Sequence, residues 1–202
     1  VRRPDSVVFA TGARGSGKTS WLKQYARGFG RVLVWSPVEE SDDYAGVLGA
    51  GLCTDILSFL TAASGGARRL VYAPPYPTPA VFDVWCKVVY RVGTCLALVD
   101  ELADVTPIGK AFGWWGALLR KGRHRRISIA GGAQRPAEID KTILGNSTRL
   151  IVFRLARVTD RRLMADELGV DRDVLDALHP LQFLDCDRLT GSFHRSKIVF
   201  AR

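Results

Sequence analysis

Residues Gly12-Ala13-Arg14-Gly15-Ser16-Gly17-Lys18-Thr19 spell G-x-x-x-x-G-K-T, the spacing of a phosphate-binding loop. An apolar run of strand character, Val7-Val8-Phe9-Ala10, precedes it, and a stretch of helical character, Ser20-Trp21-Leu22-Lys23-Gln24-Tyr25, follows. Strand, loop and helix in that order are the context the motif requires. The glycines allow backbone N–H groups to converge on phosphate oxygens, and the helix N-terminus adds its dipole. From Gly12 to Ser20 the segment is therefore a candidate triphosphate cradle. Lys18 is expected to reach the β- and γ-phosphates, and the Thr19 hydroxyl to ligate Mg²⁺. Lys18 is read as a loop residue facing phosphate, so its removal is expected to spare the packing.

Outward from this loop, apolar runs of strand length alternate with stretches of helical period. Strands are expected at Val7–Thr11, Val32–Ser36, Leu70–Ala73, Cys95–Val99, Ile127–Ala130 and Leu150–Leu155. Helices are expected at residues 20–29, 54–63, 79–92, 110–121 and 137–144. The alternation implies an α/β fold with a mostly parallel central sheet flanked by helices. Beyond Leu155 the pattern becomes two short helices, residues 159–168 and 171–178, and then a C-terminal β-hairpin around Thr190-Gly191. One domain is expected over residues 1–202, with a core at about 6–155 and the C-terminal helices and hairpin at about 156–202.

The chain has 202 residues, of which 47% are hydrophobic and 24% charged, a globular composition. No apolar run approaches the ~18 residues of a membrane span. The four cysteines lie far apart and do not combine with the three histidines at metal-site spacing, so they read as reduced, packed thiols of an intracellular protein. The net charge of +9 argues for a polyanionic partner.

Two further segments carry chemistry. Leu96-Ala97-Leu98-Val99 ends in Asp100-Glu101. At the tip of a buried strand, Asp100 can hold the Mg²⁺ hydration shell, and Glu101 can orient the attacking water. The next strand, Ile127–Ala130, ends in Gly131-Gly132-Ala133-Gln134-Arg135-Pro136, where Gln134 at the carboxyl tip can touch the γ-phosphate or the lytic water; a plain Gly-rich turn closed by Pro136 is the alternative. This set favours hydrolysis over phosphoryl transfer to a small-molecule acceptor. The densest positive cluster, Arg120 to Arg126, could offer an arginine finger to a neighbouring subunit or contact DNA phosphates. Phe112, Trp115 and Leu119 share a helical stripe and read as packing residues.

The ordered set of Lys18-Thr19, Leu98-Val99-Asp100-Glu101 and Ala133-Gln134-Arg135-Pro136 resembles the FtsK–HerA superfamily of DNA-pumping ATPases. Gly122-Arg123-His124-Arg125-Arg126-Ile127 and Asn146 to Arg154 resemble the family's flanking segments, so the likeness spans roughly residues 6 to 155. Ala133 stands where cellular members usually have Thr. The short chain is similar to the genome-packaging ATPases of tailless, membrane-containing icosahedral viruses. That resemblance implies a RecA-like P-loop NTPase that uses ATP and Mg²⁺. It also implies a homo-oligomeric ring, hexamer or pentamer, that drives double-stranded DNA into a procapsid. Its partners would be viral capsid or portal-vertex proteins, and its place the host cell cytoplasm and the packaging vertex of the virion. Arg123 becomes the leading finger candidate, with Arg149 and Arg154 as alternatives. A virion or secretion assembly ATPase that does not pump duplex DNA is the competing expectation.

Overall fold

The computed structural model describes residues 6–200; the outermost residues of the expected 1–202 domain, 1–5 and 201–202, lie outside it. The chain runs β1 (Val7–Thr11), α1 (Lys18–Ala26), β2 (Val32–Trp35), α2 (Glu39–Asp42), α3 (Tyr44–Leu48), β3 (Gly51–Cys53), α4 (Ile56–Ser64), β4 (Arg69–Tyr72), α5 (Pro79–Val92) and β5 (Cys95–Val99). It continues through α6 (Gly113–Lys121), β6 (Ile127–Ala133), α7 (Lys141–Asn146), β7 (Arg149–Phe153), α8 (Val158–Leu168), α9 (Arg172–Asp176), β8 (Gln182–Asp187) and β9 (Ser192–Lys197). Among the described residues these strands form one nine-stranded sheet, ordered β3-β4-β2-β5-β6-β1-β7-β8-β9. Every pairing from β3 to β7 is parallel, and β8 and β9 add antiparallel to β7 as the C-terminal hairpin.

Parallel strands need crossover connections, and here helices cover both faces. Alternate residues of each strand consequently enter opposite cores. Val7 and Phe9 of β1, and Leu33 and Trp35 of β2, pack into one cluster with Phe59, Phe82, Trp85 and Trp115 from α4, α5 and α6. Val8, Ala10, Val32 and Val34 pack into the other, with Trp21, Leu22 and Tyr25 of α1, Tyr44 of α3, and Phe183 and Ile198. Trp35 has Phe82 and Trp85 edge-on at ring separations of 5.0 and 6.0 Å, so the first cluster is centred on aromatic contacts.

Several local expectations need correction. Gly131 and Gly132 are not a turn; β6 runs through them to Ala133. A Cβ on Gly131 would meet Ile143 Cδ1 at 2.5 Å, and one on Gly132 would meet Asp100 Oδ1 at 2.8 Å. The glycines therefore let neighbouring side chains close over a buried strand. The segment expected as one helix, 137–144, is a 3₁₀ turn, Pro136–Glu138, followed by α7, whose first turn is capped by Asp140 accepting from Ile143 N–H at 3.0 Å. Helix α8 begins at Val158, one residue before its expected start, with Arg157 preceding it. Phe112 lies just before α6 and is exposed, while Trp115 and Leu119 are buried. The cysteines Cys53, Cys86, Cys95 and Cys186 are free and buried. No helix among the described residues is long and apolar enough to cross a membrane.

Candidate active site

The carboxyl ends of the parallel strands meet in a cleft of about 550 Å³, lined by Ala13, Arg14, Gly15, Gly17, Lys18, Thr19, Ser20, Asp42, Asp100, Glu101, Asp104 and Gln134 among others. Its floor is the loop after β1. Gly12 N–H donates to Ala133 O at 3.4 Å and Ala13 N–H to Arg154 O at 3.0 Å, which ties the loop to the strands on either side. Gly15 and Gly17 adopt φ of 74° and 107°, which β-carbon-bearing residues rarely tolerate. The chain thereby turns directly into α1, whose first N–H groups have no intrahelical acceptor and sit at the cleft. Ser16 is buried, and its hydroxyl has no partner among the described residues. Gly12 packs its Cα against Ser16 and Phe153 and carries no lining surface.

Lys18 is not a loop residue: it opens α1, is 7% exposed, and lies between two carboxylates. Its Nζ donates to Asp100 Oδ1 at 2.6 Å and to Glu101 Oε2 at 3.0 Å. Thr19 Oγ1 donates to Asp100 Oδ2 at 2.9 Å. Asp100, 3% exposed, also accepts from the Tyr44 hydroxyl at 2.8 Å and from the Glu101 N–H at 3.1 Å. Burial would push the Asp100 carboxyl up, but the Lys18 charge and the hydrogen bonds from Lys18, Tyr44 and Thr19 hold it below the usual carboxylate range. Burial likewise works against the Lys18 charge, and Asp100 and Glu101 overcome it, leaving the ammonium above its ordinary value.

Glu101 stands at φ 60°, ψ 66°, a left-handed conformation for a residue with a side chain. Its carboxylate accepts from the Gln134 N–H at 2.9 Å and from Gln134 Nε2 at 3.2 Å. The tips of β5 and β6 thus join Lys18, Asp100, Glu101 and Gln134 in one constellation. Arg135, next in the chain, turns away to pair with buried Asp160 at 2.8 Å.

Arg123 is not in this cleft. It is exposed in the 3₁₀ turn Gly122–Arg125 that leads into the amino end of β6. Seven strand residues, roughly 23 Å, separate that end from Gln134. Arg149 is bound within the chain by a bidentate pair with Asp185, at 2.7 and 2.5 Å. Arg154 is exposed and follows β7 beside the loop.

Two contributors were invisible in the sequence. Tyr44, fully buried in α3, supplies a hydroxyl to Asp100 from a segment with no nucleotide motif. Asp42 lines the cleft from α2; burial and the nearby Asp100 push its carboxyl up to about 6. The only advance signal was the run of acids Glu39, Glu40, Asp42 and Asp43 at the tip of β2, beside β5.

Thr19 and Asp100 present adjacent hard oxygen atoms, and no cluster of three or more His, Cys, Asp or Glu suited to a metal occurs among the described residues. That donor set fits Mg²⁺, which is commonly held by one or two protein oxygens together with phosphates and water.

No protein-family model matches the chain. It is 34% identical to Protein P9 of Pseudoalteromonas phage PM2 over 175 residues, 83% of this chain and 77% of that protein. The genome packaging NTPase B204 from Sulfolobus turreted icosahedral virus 2, solved in complex with AMPPCP, superposes with a TM-score of 0.79 at 15% identity, over 98% of this chain and 100% of that one. The N-terminal domain of zonular occludens toxin from Neisseria meningitidis superposes with a TM-score of 0.54 at 16% identity, over 99% and 96%. The chain belongs to the family of Protein P9 of Pseudoalteromonas phage PM2, and it shares its fold with the genome packaging NTPase B204.

Proposed function

We propose that residues 1–202 form one ATPase unit that hydrolyses ATP to drive double-stranded DNA into a viral procapsid. The observation that carries this reading is the constellation of Lys18, Thr19, Asp100, Glu101 and Gln134 around one cleft. It is supported by the family membership and by a fold shared with a packaging NTPase that has been solved with a triphosphate analogue.

Each residue has a task that follows from its chemistry. The loop N–H groups from Gly15 to Ser20 bind phosphate oxygens. Lys18 exchanges its two carboxylates for the β- and γ-phosphates, which frees Glu101 to accept a proton from the attacking water. Gln134 keeps the Glu101 carboxylate aimed through its amide and backbone N–H. Thr19 and Asp100 would hold Mg²⁺, which supplies charge neutralisation on the phosphates. Arg123, at the far end of β6, serves as a finger only for a neighbouring subunit of a ring. We place this activity in the infected host cell, at the packaging vertex.

ATP turnover measured with and without double-stranded DNA at two salt concentrations tests the proposal. Stimulation by duplex that fades with salt is the expected result. Turnover indifferent to DNA would favour an assembly ATPase of the same superfamily, and no turnover in either condition would remove the reading.

A further inference from the structure

We propose that Leu181 and Phe200 form the wall on which the base of the bound nucleotide stacks, making the segment after β9 part of the nucleotide site. This rests on the reading that the cleft holds a nucleoside triphosphate. Sheet order fixes which end of the cleft takes which end of that molecule. Asp100 and Glu101 follow β5 and Gln134 follows β6, on one side of the loop after β1. Lys18 reaches toward that side, so the γ-phosphate belongs there. The nucleoside must then leave the loop on the opposite side, past Ser20, toward β7 and β8.

Leu181 and Phe200 stand on that side. Leu181 directly precedes β8, and because β8 runs antiparallel to β7 its first residues lie at the carboxyl ends of the parallel strands. Both residues line the same cleft as Arg14, Gly15 and Ser20. Away from that side the cleft is lined by Val38 and Ser41 together with Asp42 and Asp104, and the two carboxylates make that region a poor surface for a base.

The wall is held in place. Leu181 adopts φ 65°, a conformation that costs a leucine energy, and its carbonyl accepts from Ile198 N–H at 2.9 Å. Ile198 is buried against the Gly17 backbone, where an added Cβ would lie 3.1 Å from its Cγ1. The Val199 carbonyl accepts from Gln24 Nε2 of α1 at 3.0 Å. These ties bring the chain to Phe200, which keeps 58% of its surface exposed beside an anchored cleft wall. A phenyl ring so placed offers its face to any purine regardless of the base's edge groups.

The test compares two ligands that share phosphates and differ in the base: a non-hydrolysable ATP analogue and inorganic tripolyphosphate, each with Mg²⁺. Phe200→Ala should weaken the analogue about tenfold and leave tripolyphosphate unchanged. Phe200→Trp should bind the analogue at least as well as the wild type. Unchanged analogue affinity in Phe200→Ala overturns the inference, as does an equal loss for both ligands, which would mean that the tail only props the loop. A wild-type protein that binds neither ligand would instead overturn the nucleotide reading beneath it.

Discussion

The two ends of the central sheet handle charge in opposite ways. At the carboxyl ends Lys18 is enclosed by Asp100 and Glu101, with Asp42 and Asp104 lining the same cleft. At the amino ends Arg123, Arg125 and Arg126 are exposed. Arg125 donates to backbone carbonyls, those of Tyr90 at 3.2 Å and Arg91 at 2.5 Å. A buried charge must find its partner within the fold, whereas a solvated one need not. Buried Lys18 accordingly finds both its partners within one chain. The amino end offers positive charge to another molecule, a neighbouring subunit or a polyanion.

The contrast breaks most sharply at Lys18. Lys18→Ala should reduce turnover by about 10²–10³-fold, the cost of losing a cation at developing phosphate charge. It should also destabilise the protein by about 3 kcal/mol, because Asp100 and Glu101 are left facing each other without their cation. Adding Asp100→Asn should return most of that stability and none of the turnover. Denaturation midpoints and turnover rates of the wild type and these two variants check both statements; equal stability of Lys18→Ala and wild type would mean the pair is not held as described.

Glu101→Gln should lower turnover by about 10²-fold while keeping affinity for ATP and Mg²⁺, since the amide preserves shape and loses the base. Arg123→Ala sharpens the comparison from the other end. If Arg123 acts in trans, that variant is inactive alone and regains turnover when mixed with Glu101→Gln subunits, each population supplying what the other lacks. If it binds DNA instead, basal turnover survives and the log–log salt slope for duplex binding shrinks by about 0.9 for each DNA phosphate that the arginine had neutralised.

These differences also explain what the sequence disclosed. The loop at Gly12 to Thr19 and the pair Asp100-Glu101 were readable because local geometry, a left-handed turn and a strand tip, demands those residue types at those spacings. The sheet was readable from alternating periods, down to the hairpin. Tyr44 was not, because its meeting with Asp100 joins residues 56 apart in the chain across a crossover that no local pattern encodes. Nor was the role of Gly132: a glycine pair reads as a turn until Asp100 and Leu22 are known to close over it. The three-residue β3 and the short helices α2 and α3 escaped because none is long enough to establish a period.

Tyr44 supplies the next smaller effect. Its hydroxyl is one of four donors that orient the Asp100 carboxylate, and burial, with Asp100 adding to it, pushes the phenol well above its ordinary range, so it remains a donor. Tyr44→Phe keeps the ring in its core. It should raise the Mg²⁺ concentration needed for half-maximal turnover about three- to tenfold, in line with the loss of one hydrogen bond to a charged group. An unchanged Mg²⁺ requirement together with a lowered melting temperature would assign the hydroxyl to stability alone.

The smallest effect is expected at Asp42, where the cleft's excess of acid acts against the fold. Its carboxyl titrates near 6 in the folded protein, above the ~3.9 of an unfolded aspartate. Between those values the folded state binds the extra proton, so stability falls as pH rises from about 4 to 6 and stays reduced above. Asp42→Asn removes that penalty. It should raise the melting temperature at pH 7.5 by a few degrees, corresponding to about 1 kcal/mol once partial exposure is allowed for, and change little at pH 4.5, where Asp42 is already protonated. Equal shifts at both pH values would show that the gain comes from packing rather than charge. The same substitution at saturating nucleotide and Mg²⁺ should stabilise less, because Mg²⁺ near Asp100 offsets part of the repulsion Asp42 experiences.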